Sequence, residues 1–120
     1  MLAVKVSDIH RAAAFVFNIS GDVLISPSRY RRHCIPRWSA MYLTRKYTRL
    51  SYPQIGRYFG GRDHSTVMSG IRQISGLVAT DSDVSASVTS VEAVARKFAQ
   101  LRIERDVVNI LKLHAEASPD

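Results

Sequence analysis

The chain has 120 residues, 17 Lys and Arg against 10 Asp and Glu, and a formal charge of +7. That length fits one domain, and an apolar content of 46% is far above that of a disordered basic tail. No apolar run approaches the ~20 residues that span a bilayer, the start is too short for a secretory signal, and the single Cys34 excludes an intramolecular disulfide and the usual cysteine zinc sites. A cytoplasmic domain attracted to polyanions is the first expectation.

Ser7 or Asp8 can cap a first helix in which Ile9, Ala13, Val16 and Phe17 recur at helical spacing. Its end falls near residues 18–21, with Gly21 as the stop. Residues 22–25 read as a short helical turn that Pro27 ends. Residues 26–36 read as a basic loop, and Pro36 as the opening turn of a third helix with Trp38, Met41, Tyr42 and the stem of Arg45 on one face. A fourth helix opens clearly: Ser51 as N-cap, Gln54 as its capping-box partner and Pro53 in the first turn. Gly60-Gly61 stops it. Asp63 then caps a fifth helix carrying Val67, Ile71 and Ile74 to about Gly76. After a polar break at 80–83, with Asp83 as N-cap, Val84, Val88, Val91, Ala95, Phe98 and Leu101 keep helical spacing for about five turns. Residues 103–113 continue that helix or form one more, and 118–120 read as a frayed end. The sum is an all-α chain of about six helices.

The charge is not spread evenly. Residues 1–22 and 80–120 carry 0 and −2, whereas residues 23–79 hold ten basic residues and one acid, Asp63, for +9. No carboxylate stands between Asp22 and Asp63, so local helix pairs cannot neutralise these cations. A solvated face would give the same total, but the clustering favours a surface for phosphates.

The helices joined at Phe59-Gly60-Gly61-Arg62-Asp63 have the layout of a helix-turn-helix, whose second helix presents its N-terminal residues to base edges. Here those are Asp63, His64, Ser65 and Thr66. The imidazole and hydroxyls can donate or accept at base edges, and the Thr66 methyl can meet a thymine methyl. Asp63 can accept from an amino group or cap the helix.

The run Tyr52-Pro53-Gln54-Ile55-Gly56-Arg57-Tyr58-Phe59-Gly60-Gly61-Arg62-Asp63-His64-Ser65-Thr66-Val67 closely resembles the DNA-binding signature of the bacterial replication initiator DnaA. That family reads approximately Leu-Pro-Glu-Ile-Gly, a few residues, then Phe-Gly-Gly-Arg-Asp-His-(Ser/Thr)-Thr-Val. Upstream, Pro36-Arg37 and Ala40-Met41-Tyr42-Leu43 resemble its Pro-Arg-x-x-Ala-Met-Tyr-Leu helix. The resemblance covers residues 8–100 and implies a Trp-repressor-like, DnaA C-terminal fold over 1–100, with 101–120 as a helical extension and tail. It implies base reading by Arg37, Asp63, His64, Ser65 and Thr66, and a minor-groove contact from Arg29. Phosphate or backbone contacts would come from Arg31, Arg32, Arg45, Lys46, Tyr52, Pro53 and Arg62. The implied target is a short A·T-rich duplex box. Two departures bear on the flanking bases: Trp38 stands where the family has Gln, and the loop carries an extra Pro27.

An enzyme is the weaker class. His64 with Asp63, or His33 with Cys34, are chain neighbours projecting about 100° apart on a helix, and the four histidines lack metal-ligand spacing. No cofactor or metal is expected. A protein- or acidic-membrane-interaction module using the basic face or the C-terminal helix is the alternative, and Val84, Val88, Val91, Phe98 and Leu101 suit a core stripe better than a homodimer seam. The chain contains no G-x-x-x-x-G-K-[ST] loop. The expectation is therefore a bacterial or mobile-element DNA reader without ATPase activity, nucleoid-associated. It would be accessory or regulatory to replication initiation or transcription, and would compete with full-length initiator for sites.

Overall fold

The computed structural model describes residues 3–117, which form six α-helices and no strand. These are α1 (Val6–Val16), α2 (Gly21–Leu24), α3 (Arg31–Tyr47), α4 (Tyr52–Tyr58), α5 (His64–Thr80) and α6 (Ser82–Ala117). The all-α expectation and its helix count both hold. Residues 118–120, expected to fray, lie outside the described residues.

Several boundaries differ from the sequence reading, each for a local reason. Lys5, and neither Ser7 nor Asp8, is the N-cap of α1, because Asp8 serves the cap from inside the first turn: its Oδ2 accepts the Lys5 N–H at 2.9 Å. The helix stops at Val16, since Asn18 adopts a φ of 54°, a left-handed conformation that asparagine tolerates. Gly21 is therefore the first residue of α2 and not the stop of α1. Pro36 lies inside α3 and does not open it. Proline removes one hydrogen bond, toward the carbonyl four residues back, and near a helix start that loss is offset by burial of the ring. Residues 31–35, expected as loop, are thus helical, held first by the His33 and Cys34 N–H groups donating to the Tyr30 carbonyl at 2.8 and 2.9 Å.

At the other end, α5 runs past Gly76 because Leu77 and Val78 are half-buried against the core. The expected four-residue break shrinks to Asp81, whose Oδ1 accepts the Asp83 and Val84 N–H groups at 3.0 and 3.2 Å. Asp81 is the cap, and Asp83 sits in the first turn of α6.

The core forms where α6 lies along α1 and α3 packs on α5, with α4 closing against α5. Ile9, Leu24, Met41, Leu43, Ile55, Phe59, Val67, Ile74 and Val91 are all buried, each such side chain contributing roughly 1.5–3 kcal/mol. The apolar stripe of α6 is core as far as Ala99: Val84, Val88, Val91 and Ala95 are buried, and Phe98 packs edge-on to Phe15. Leu101 breaks the expectation, being 48% exposed, and Val107, Val108, Ile110, Leu111 and Leu113 are exposed too.

Arg102 ties α6 back to α1, donating to Asp8 Oδ2 at 3.0 Å and to the Ala3 carbonyl at 2.9 Å. The Asp8 side chain is 1% exposed. Burial pushes its carboxyl up, but the Arg102 hydrogen bond, the Lys5 N–H and the Arg102 and Arg11 charges together hold it below its ordinary 3.8. A carboxyl depressed on folding gives stability that is complete above its unfolded value and is lost as the pH falls through the folded one. The melting temperature is therefore expected to fall more steeply below about pH 4 in the native chain than in Asp8→Asn. Parallel melting curves from pH 6 to 2 would remove Asp8 from the acid transition.

Candidate nucleic-acid interface

Local chemistry builds the two-helix unit. Ser51 Oγ accepts the Gln54 N–H at 3.3 Å and Gln54 Oε1 accepts the Ser51 N–H at 2.8 Å, so α4 opens on the capping box read from the sequence. Gly60 and Gly61 have φ of 92° and 74°, values that side chains other than hydrogen resist. The turn then folds back until the Arg62 N–H donates to the Gly56 carbonyl at 2.8 Å. Phe59, fully buried, anchors this turn in the core.

Asp63 starts α5 by accepting the Ser65 N–H at 3.1 Å and the Ser65 hydroxyl. Those two bonds, hydroxyl first, hold its carboxyl below the usual range, so it is ionised at neutral pH. His64 Nδ1 lies 3.3 Å from the other Asp63 oxygen. Asp63, His64, Ser65 and Thr66 are all exposed, and the imidazole and two hydroxyls face outward at a helix N-terminus, where the dipole favours anions. Ser69 and Arg72 share this exposed edge; their i+4 and i+7 spacing from Ser65 was the signal that could have found them.

Across an open cleft from Thr66 lies the loop of residues 25–30, and exposed Arg29 lines the same cleft. Trp38 forms part of its floor and packs on α5. A Cβ on Gly70 would lie 2.5 Å from Trp38 Cδ1, so α5 approaches α3 this closely only because residue 70 has no side chain.

The other basic residues expected to contact DNA differ in what they touch. Arg31 and Arg32 are exposed at the start of α3, the latter 5.6 Å from the Tyr30 ring centroid. Arg45, also exposed, stacks 4.2 Å over the half-buried Tyr52 ring and donates to the Leu50 carbonyl at 3.0 Å, beside exposed Pro53. Lys46, expected to face phosphates, faces α6 instead, where Glu92 Oε2 accepts from it at 2.8 Å and from the Tyr47 hydroxyl at 2.6 Å. Burial pushes the Glu92 carboxyl up, while the Lys46 and Tyr47 hydrogen bonds outweigh it and hold it low.

Arg37 and Arg62 depart furthest from expectation. Arg37, expected to read bases, is 3% exposed. Its Nε donates to the Leu24 carbonyl at 3.0 Å, Nη1 to Ser28 at 2.9 Å, and Nη2 to Val23 and Ser26 at 3.0 and 3.1 Å. Four of its five N–H donors are thus engaged by carbonyls, and a base edge would have to displace them. Arg62, expected at the phosphates, turns inward as well and donates to the carbonyls of Phe59 and Ser26. Among the described residues neither guanidinium has a carboxylate in ion-pair range. Burial lowers both from the ordinary arginine value.

Among the described residues no three His, Cys, Asp or Glu side chains come together as metal ligands, and no helix is long and apolar enough to cross a membrane. Cys34 is half-buried beside Arg37 in the cleft wall.

Residues 6–74 match the family model described as the bacterial dnaA protein helix-turn-helix. The chromosomal replication initiator protein DnaA of Rhodopseudomonas palustris (strain TIE-1) is 44% identical over 89 residues, covering 74% of this chain and 19% of the relative. That of Cereibacter sphaeroides (strain ATCC 17029) is 47% identical over 81 residues, covering 68% of this chain and 18% of the relative. The chain thus spans less than a fifth of the length of these curated relatives.

Proposed function

The chain belongs to the bacterial DnaA helix-turn-helix family, and from that membership we propose that it binds double-stranded DNA sequence-specifically, at a short A·T-rich box of the kind initiators occupy. The observation that carries this reading is the capped, outward-facing start of α5, with His64, Ser65 and Thr66 free of the core and Arg29 on the opposite wall of one cleft. In this reading α5 enters the major groove and Arg29 the adjoining minor groove. Arg31, Arg32 and Arg45 lie near phosphates, and α4 meets the DNA backbone at Tyr52 and Pro53. The activity requires duplex binding and no nucleotide hydrolysis. A chain presenting these elements competes with full-length initiator for the same boxes. The proposed role is therefore accessory or regulatory, in replication initiation or transcription, at the nucleoid in the cytoplasm. The exposed apolar side chains between Leu101 and Leu113 favour, as a second reading, a homodimer through α6.

Selection from a random duplex pool tests the primary proposal. An enriched A·T-rich box is expected, and footprinting on it should show initiator displaced as this chain is added. Unenriched pools, or retention on anionic vesicles with no duplex preference, would overturn it in favour of a membrane- or protein-interaction module.

A further inference from the structure

The loop of residues 25–30 connects α2 to α3 and carries the exposed Arg29. A six-residue connection containing Ser26, Pro27 and Ser28 has little apolar surface to bury, and loops of this kind are ordinarily mobile. A mobile arginine is a poor groove reader, because ordering it on binding costs conformational entropy. This loop is instead fastened from below. Arg37 donates to two loop carbonyls, Ser26 and Ser28, and to Val23 and Leu24 at the end of α2, so it ties the loop to the helix before it. Arg62 reaches the Ser26 carbonyl from the helix-turn-helix turn, and a Cβ on Gly60 would lie 2.3 Å from the Ile25 carbonyl oxygen. Ser26 therefore receives both guanidinium groups, one from α3 and one from the turn that leads into α5. The serines add local closure, Ser26 Oγ donating to the Val23 carbonyl at 2.7 Å and Ser28 Oγ lying 2.6 Å from His33 Nδ1.

We propose that Arg37 and Arg62 are positioning residues: their guanidinium groups clamp the 25–30 loop to the helix-turn-helix turn, fixing Arg29 in register with His64, Ser65 and Thr66, and neither contacts DNA itself. The inference rests on the reading of Arg29 and α5 as the DNA-binding elements. Lysine is the discriminating replacement. It keeps a positive charge, so long-range attraction to DNA is conserved, but its ammonium is a compact point donor and cannot span four carbonyls as the planar fork does.

The experiment is a double-mutant cycle on the full chain with Arg37→Lys, Arg29→Ala and both together. It uses the box selected from the duplex pool over a range of salt, with tryptic cleavage after Arg29 in the DNA-free proteins as a separate readout. Arg37→Lys is expected to weaken the box about tenfold in the native background and less than twofold when Arg29 is already alanine, because coupled residues are non-additive. The slope of log affinity against log salt should not change on Arg37→Lys, since no phosphate contact is lost. In free protein, cleavage after Arg29 should accelerate at least tenfold while the cooperative melt persists. Losses that add, with no coupling to Arg29, would make Arg37 an independent contact and overturn the proposal. An unchanged cleavage rate would overturn it too. Should Arg37→Lys fail to fold, half-buried Arg62→Lys must give the same coupling and the same faster cleavage, and additivity there overturns the clamp. If the native chain prefers no duplex, the DNA reading fails, whereas the cleavage arm still decides whether the arginines hold the loop.

Discussion

Gly56→Ala is expected to destabilise the fold by about 3 kcal/mol, lowering the melting temperature by roughly 10–15 °C. The alanine Cβ would lie 2.0 Å from the Arg62 carbonyl oxygen and 3.0 Å from its carbon. Both are backbone atoms, so no rotamer change relieves the clash. The same turn closes through the Arg62 N–H on the Gly56 carbonyl, and separating the two segments to admit a methyl group would break that bond as well. Gly76→Ala is the control. Its Cβ meets nothing within 4 Å and lies in the body of α5, where replacing glycine by alanine stabilises by roughly 0.5–1 kcal/mol. Circular-dichroism melts of the two variants should move in opposite directions. A Gly56→Ala melt within about 2 °C of the native chain would mean the turn is not packed against α4 as described.

What could be read in the sequence is what residues within four positions of one another decide. Ser51 with Gln54, Gly60 with Gly61, and Asp63 each perform their function with partners a few residues away. The two-helix unit is therefore legible from residue type and spacing alone. Where reading by local rules failed, a distant partner or an accommodating backbone decided. Asn18 took the left-handed position that a search for glycine had given to Gly21. Pro36 was tolerated in α3 because the core buries its ring. Lys46 found Glu92, a carboxylate 46 residues on, so counting acids within the basic middle of the chain could not show that this cation is neutralised. Arg102 and Asp8 are separated by 94 positions. Arg37 is the clearest case: its motif position suggests a base reader, yet the carbonyls that engage it belong to the end of α2 and the loop after it, 9–14 residues upstream. A sequence pattern registers that an arginine is required, not whether it faces solvent or the chain itself.

His64→Ala, by contrast, should leave the fold untouched and act on recognition alone. The His64 side chain is 58% exposed and its only polar neighbour among the described contacts is the Asp63 carboxylate at 3.3 Å, so removing it opens no cavity. The cap on α5 survives, because Asp63 holds the Ser65 N–H independently of the imidazole. Losing a side chain that reads a base edge costs roughly 1–3 kcal/mol on the preferred box, or about fivefold to 150-fold in Kd, and little on random duplex. Arg31→Ala removes an exposed cation at the start of α3 and is expected to do the reverse, weakening preferred and random duplexes alike and reducing the salt slope by about 0.9. The ratio of specific to random affinity is thus the informative quantity: it should collapse for His64→Ala and stay level for Arg31→Ala. Equal losses on both duplexes for His64→Ala would show that the start of α5 binds the backbone without reading it. Sequence preference would then have to come from the minor-groove side, through Arg29 and the deformability of A·T-rich DNA.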